Sequence, residues 1–154
     1  MAIATPVNSS IKLVKAKEGD ELADMALYPS AVASLQYLAT MTRPDISFAV
    51  SNVGKFFSQP TTEHWIAIKR IIRYLKATQD YGLLYKRDSS DIFVGYSDSD
   101  FSGDSDDHRS TSGYIFQIGG AGIRWRSKKL TSVALSSAEA EYVALSLLLK
   151  KLFG

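Results

Sequence analysis

The hydrophobic period of this chain changes once, and that change limits the folds open to it. From Tyr28 to about Ala77 apolar residues recur every three to four positions, and beyond "DYGLLYKRDSS" they alternate. A period of 3.6 buries one stripe of a helix, and a period of 2 buries one face of a strand. Helices first and strands afterwards describe an α+β chain.

Three prolines punctuate the helical block. Pro29 opens "PSAVASLQYLATM", Pro44 opens "PDISFAVSNVGKFF", and Pro60 precedes "TTEHWIAIKRIIRYLKA". Proline is tolerated in a first helical turn because its missing N–H would be unpaired there anyway. Ile46, Val50, Val53 and Phe57 form the apolar stripe expected of the second helix, and Trp65, Ile68, Ile72 and Leu75 that of the third. Lys69, Arg73 and Lys76, with Arg70 beside them, make a basic ridge facing away from that stripe. Two readings of the ridge stand: a solvated face, or a helix that contacts nucleic-acid phosphates. Residues 1–28, small and polar with little periodicity, read as an extended or loosely ordered lead-in.

After the switch, "DIFVGYSDSD" reads as a strand, "GYIFQIGGAGIRWRS" as a hairpin and "LTSVAL" as a third strand. Gly119, Gly120 and Gly122 are expected in the hairpin turn. Ile123 and Trp125 alternate with Arg124 and Arg126, giving one apolar and one basic face. "SSAEAEYVALSLLLKKLFG" closes the chain as a helix. The expected organisation is a lead-in over 1–28, a helical segment over 29–88, and a three-stranded antiparallel meander with one helix over 89–154.

Composition removes several function classes. With no cysteine there are no disulfides or thiolate metal sites, and two distant histidines do not suggest zinc. A net charge of +2 is too small to mark a nucleic-acid binder, so such a case rests on local clusters. No apolar leader or membrane-length run is present, so a soluble, intracellular, non-secreted protein with no membrane partner is expected.

The acidic stretch "YSDSDFSGDSDD" admits three chemistries. As a calcium loop it has Asp98, Asp100, Gly103, Asp104 and Asp106 at suitable positions, but Arg109 stands where a bidentate glutamate belongs. As a polymerase Tyr-x-Asp-Asp turn it has a serine between its aspartates. As a nuclease strand it needs a carboxylate from another element, because two Mg²⁺ ions about 4 Å apart must be bridged and charge-balanced. The last helix offers two. Ser136 and Glu139 form a capping box, which occupies Glu139. Glu141 falls on the leucine side with Leu145, Leu148 and Leu152. A carboxylate there is costly unless compensated; metal ligation beside Asp98, or an escape to the rim of the core, would each do so.

The long motifs "TRPDISFAV", "HWIAIKRIIRYLK", "STSGYIF" and "SKKLTSVALSSAEAEY" resemble Ty1/copia-type retrotransposon Pol polyproteins. The first half is similar to the helical connection after reverse transcriptase, and the second to the N-terminal half of a ribonuclease H domain. The resemblance implies a truncated RNase H-like meander and hydrolysis of RNA in RNA–DNA hybrids by two Mg²⁺ ions. Asp98 and Glu141 then fall on the catalytic, metal-holding positions. Two of the family's four acids would lie beyond Gly154, so a catalytically incomplete fragment is expected. Its implied partners are an RNA–DNA hybrid or other nucleic acid, and the remainder of a Pol polyprotein. Its implied setting is the cytoplasm, in virus-like particles, or the nucleus. The competing expectation is a non-catalytic module, either binding nucleic acid through Lys69, Arg73, Lys76, Arg124 and Arg126 or co-opted as an effector-like interaction protein. The chain has no Arg-x-Leu-Arg; the nearest string is "RYLK".

Overall fold

Each proline-led segment forms a helix in the computed structural model, which describes residues 3–86, 93–100, 109–130 and 136–153. Helix α1 spans Leu27–Met41, α2 Ser47–Val53 and α3 Thr62–Ala77. Pro29 sits in the first turn of α1, and the Asp24 carboxylate accepts the N–H groups of Ala26 and Leu27 ahead of it. Those two bonds hold the Asp24 carboxyl below its ordinary range. Pro44 starts a 3₁₀ turn, Pro44–Ile46, that runs straight into α2.

These helices belong to the first of two units, Met1–Gly82 and Leu83–Gly154. The core of that unit is Tyr28, Val32, Leu35 and Ala39 of α1 against Ile46, Ala49, Val50 and Val53, closed by Ile68, Ile71 and Tyr74 of α3. Full burial of each aliphatic side chain is worth about 1.5–3 kcal/mol. The hydroxyl of Tyr28, itself fully buried, donates to the Val53 carbonyl at 2.8 Å.

Two stripes differ from the sequence expectation. Phe56 is 5% exposed and Phe57 45%, the reverse of the expected order. The 3₁₀ turn Gly54–Phe56 is the cause: it advances about 120° per residue instead of 100°, which rotates Phe56 inward. On α3 the buried set is His64, Ile68, Ile71 and Tyr74, while Ile72 is 47% exposed. Apolar character alone misplaces this stripe, because two polar-tipped rings face inward with partners. His64 accepts the Thr61 N–H on Nδ1 at 2.8 Å, so its proton lies on Nε2, 3.0 Å from the Val14 carbonyl.

The second polar-tipped ring joins a partly buried network. Arg43, 7% exposed, donates to the Asp45 carboxylate, with an ion pair at 2.7 Å. It also donates to the carbonyl and hydroxyl of Thr78 at 3.0 and 2.7 Å. Tyr74 donates to Asp45 at 2.9 Å. The turn before α2 is thereby locked to the end of α3, so two charged residues of "TRPDISFAV" are structural.

The lead-in ends in the first turn of α1. Its described residues before that, 3–26, form no helix or strand beyond one isolated bridge but are tied along α3. Leu22 bridges Thr61, and Arg70 donates twice to Thr5 at 3.1 Å.

The second unit carries an antiparallel sheet in the order β1-β2-β3, formed by Phe93–Ser99, Thr111–Ile118 and Ala121–Lys129. The hairpin turn is two residues long, Gly119 and Gly120, at φ 59° and 80°. That conformation suits glycine and fits the twist of the strands. Gly122 is not in the turn; it pairs with Gln117 in β3, where a Cβ would approach the Ile115 side chain to 3.1 Å. A bulge at Phe116/Gln117 leaves Ile123 unpaired and sets Arg124 opposite Phe116, Arg126 opposite Tyr114 and Trp125 opposite Ile115. Directly opposed residues share a face. The arginines therefore share their face with aromatic rings, and it is basic only along β3.

The expected strand "LTSVAL" lies, from Thr131 on, outside the described residues, as does most of the acidic turn after Asp100. Helix α4, Ser137–Phe153, packs on β1 and β2. Its buried stripe is Ala140, Ala144 and Leu148, two small residues that allow close approach, and Leu148 lies 3.5 Å from the Cβ position of Gly95.

Candidate functional site

Asp98 occupies the end of β1, opposite Gly113, and Glu141 the second turn of α4. Both line one cleft of about 480 Å³, walled by Ser97 and Asp98 on the strand and by Ala138, Glu141, Tyr142 and Leu145 on the helix. The strand stops there because Asp100 turns its polar atoms onto Thr111. Its N–H donates to the Thr111 carbonyl, and its carboxylate accepts the Thr111 N–H. Asp100 thus closes the loop mouth, while the Asp98 carboxylate accepts only its neighbour's N–H, from Ser99 at 2.8 Å, among the described contacts.

Glu141 differs from the expectation in one respect. It is exposed, as is Leu145 at 45%, because the buried stripe of α4 runs through Ala140, Ala144 and Leu148. Its carboxylate therefore carries no buried-charge penalty that a metal would have to offset. Glu139 lies outside this cleft, and its N–H donates to Ser136 Oγ at 3.1 Å, as the capping motif requires.

Mg²⁺ is an ion held by one or two carboxylates with water and substrate oxygens completing its octahedron, and this cleft is lined by two, Asp98 and Glu141. Bridging two such ions needs more carboxylates. Among the described residues no group of three or more histidines, aspartates or glutamates converges.

The cationic candidates fall into two sets. Lys69, Arg73 and Lys76 are exposed on the outer side of α3, flanked by the exposed Ile66 and Ile72. Arg70 is set apart by its bonds to Thr5. Its place about 60–120° around the helix from Lys69, Arg73 and Lys76 was the sequence signal for that difference. Arg124 and Arg126 are exposed on β3 of the other unit. Ser97 and Tyr142 line the cleft without having been expected there; each adjoins a candidate acid in sequence, which was the available signal.

The family is shown by comparison of the sequence with known proteins. The chain belongs to the family of copia-type retrotransposon Pol polyproteins and their shorter relatives. It is 51% identical over 119 residues to the secreted RxLR effector protein 161 of Plasmopara viticola, covering 77% of this chain and 84% of that one. It is 46% identical over 140 residues to the retrovirus-related Pol polyprotein from transposon RE2 of Arabidopsis thaliana, covering 91% of this chain. The corresponding polyprotein from transposon TNT 1-94 of Nicotiana tabacum is 43% identical over 147 residues. The chain spans only 10% and 11% of those two polyproteins. No family model matches the chain, and no solved structure gives a significant match. Among the described residues no helix is long and apolar enough to cross a membrane.

Proposed function

We propose that this chain is a nucleic-acid-binding module of Pol origin that binds without hydrolysing. The observation that carries the reading is the α3 ridge, where Lys69, Arg73 and Lys76 stand exposed opposite Ile68 and Ile71 with no acid between them. Seven residues of helix rise about 10 Å, enough to meet two or three phosphates spaced at about 3.4 Å of axis along one strand. Arg124 and Arg126 offer a second, separate pair of cations. The shorter relative supports a role outside a polyprotein, since its name is that of an effector and the chain spans 84% of it. Among the described residues the cleft is lined by two carboxylates, Asp98 and Glu141, fewer than two-metal hydrolysis uses.

A second reading, hydrolysis of RNA in an RNA–DNA hybrid, is favoured by the cleft that Asp98 and Glu141 share. In that reading Asp98 and Glu141 would hold Mg²⁺, which would supply Lewis-acid chemistry at the phosphodiester.

One experiment separates the two: the full chain with a labelled RNA–DNA hybrid, with and without millimolar Mg²⁺. Salt-sensitive binding without cleavage, unchanged in Asp98→Asn, is expected. Robust cleavage abolished by Asp98→Asn would overturn the binding-only reading, and no binding at low salt would remove it.

A further inference from the structure

Beside the basic ridge, the first unit holds a cavity of about 210 Å³ between the lead-in, α2 and α3. Its walls are apolar, with Val7 on one side and Val53 and Ile71 on the other. Asn8, Asn52 and Glu63 place two amides and a carboxylate at its margin. Arg70 and Arg73 also line it, and Arg73 belongs to the exposed ridge as well. The cavity therefore opens directly beside the cations assigned to the nucleic acid.

Three features narrow what the cavity takes. The first is size: a dry apolar cavity of about 150 Å³ accepts benzene, and drug-sized ligands need about 300–1,000 Å³. The observed 210 Å³ suits one six-membered ring with small substituents. The second is chemistry. Apolar walls receive the faces of a flat ring, while amide and carboxylate groups offer both donors and acceptors for its edge. The third is the state of Arg70. Its Nε and one terminal nitrogen are each bonded to Thr5 at 3.1 Å, so the guanidinium plane is fixed. Arginine planes, like aromatic rings, serve as platforms for unstacked bases.

We propose that this cavity receives one unstacked pyrimidine of a single strand whose phosphates follow Lys69, Arg73 and Lys76. The inference rests on the nucleic-acid-binding reading and adds a preference to it: single strands over duplexes, and pyrimidines over purines. A duplex keeps its bases stacked and meets only the ridge.

The test is fluorescence anisotropy of the full chain with labelled oligo-dT, oligo-dA and a duplex of equal length. Oligo-dT is expected to bind about tenfold more tightly than the duplex. Asn52→Leu and Ala67→Leu, which remove an edge partner and fill the cavity, should weaken oligo-dT about tenfold and the duplex less than twofold. The pair Lys69→Gln and Lys76→Gln should weaken both. Equal affinity for all three nucleic acids, or cavity variants that weaken all alike, would overturn the pocket and leave the ridge standing. Absence of any binding at low salt would overturn the underlying reading instead. Should the variants fail to fold by circular dichroism, an oligonucleotide carrying one pyrrolo-dC decides on the unaltered protein. Its fluorescence should rise on binding as the base unstacks, and an unchanged signal overturns the pocket.

Discussion

Replacing Arg43 by methionine keeps most of the side-chain stem and removes the charge at the centre of the helical unit. Three partners lose a donor at once: Asp45, and the carbonyl and hydroxyl of Thr78. Breaking a fully buried pair by removing one member costs about 3–5 kcal/mol. The Asp45 side chain is 32% exposed and keeps Tyr74 as a donor, so the lower end, about 3 kcal/mol, is expected. With a urea m-value of about 2 kcal/mol/M, the midpoint of the helical unit should fall by about 1.5 M. Acid should narrow the gap. Burial raises the Asp45 carboxyl, but the hydrogen bonds from Arg43 and Tyr74 and the guanidinium charge outweigh it and hold the group below its ordinary value. A lowered carboxyl contributes stability above its unfolded pKa of about 3.9, and loses it as pH falls through the lower folded value. Urea curves followed by circular dichroism at pH 7 and pH 3 measure both effects. A midpoint shift under about 0.3 M at pH 7 would refute the reasoning, since the pair's desolvation would then cancel its contacts.

Three further outcomes follow from local geometry. Tyr28→Phe should cost about 1–2 kcal/mol in the same unfolding assay, because the buried Val53 carbonyl loses its donor. Gly120→Ala, at φ 80°, should destabilise the hairpin by about 1 kcal/mol, seen as a lower thermal midpoint for the sheet signal. Ser136→Ala should cost about 1 kcal/mol through loss of the α4 cap, whereas Asp98→Asn, on an exposed side chain, should leave the midpoint within about 0.5 kcal/mol.

The order of elements was legible because the prolines and the change of period are local signals. Stripe phase was less legible, and each departure has a cause that a period count does not contain. A 3₁₀ turn exchanged Phe56 for Phe57, and the partnered rings of His64 and Tyr74 displaced Ile72. A turn of only two residues, Gly119 and Gly120, left Gly122 in the strand. At the cleft, sequence matched Asp98 with Glu141, and the two do line one space. Their environment was not legible. The exposure of Glu141 follows from a buried stripe set by Ala140, Ala144 and Leu148, whose two alanines a count of leucines does not weigh.

The binding account turns on whether Lys69, Arg73 and Lys76 meet phosphates, and the salt dependence of affinity measures that directly. Each phosphate neutralised on a single strand contributes about 0.7 to the slope of log K against log salt. Between 50 and 300 mM NaCl, the Lys69→Gln/Arg73→Gln/Lys76→Gln variant should therefore bind oligo-dT with a slope about 2 smaller than the parent chain. Identical slopes for the two proteins would contradict the account.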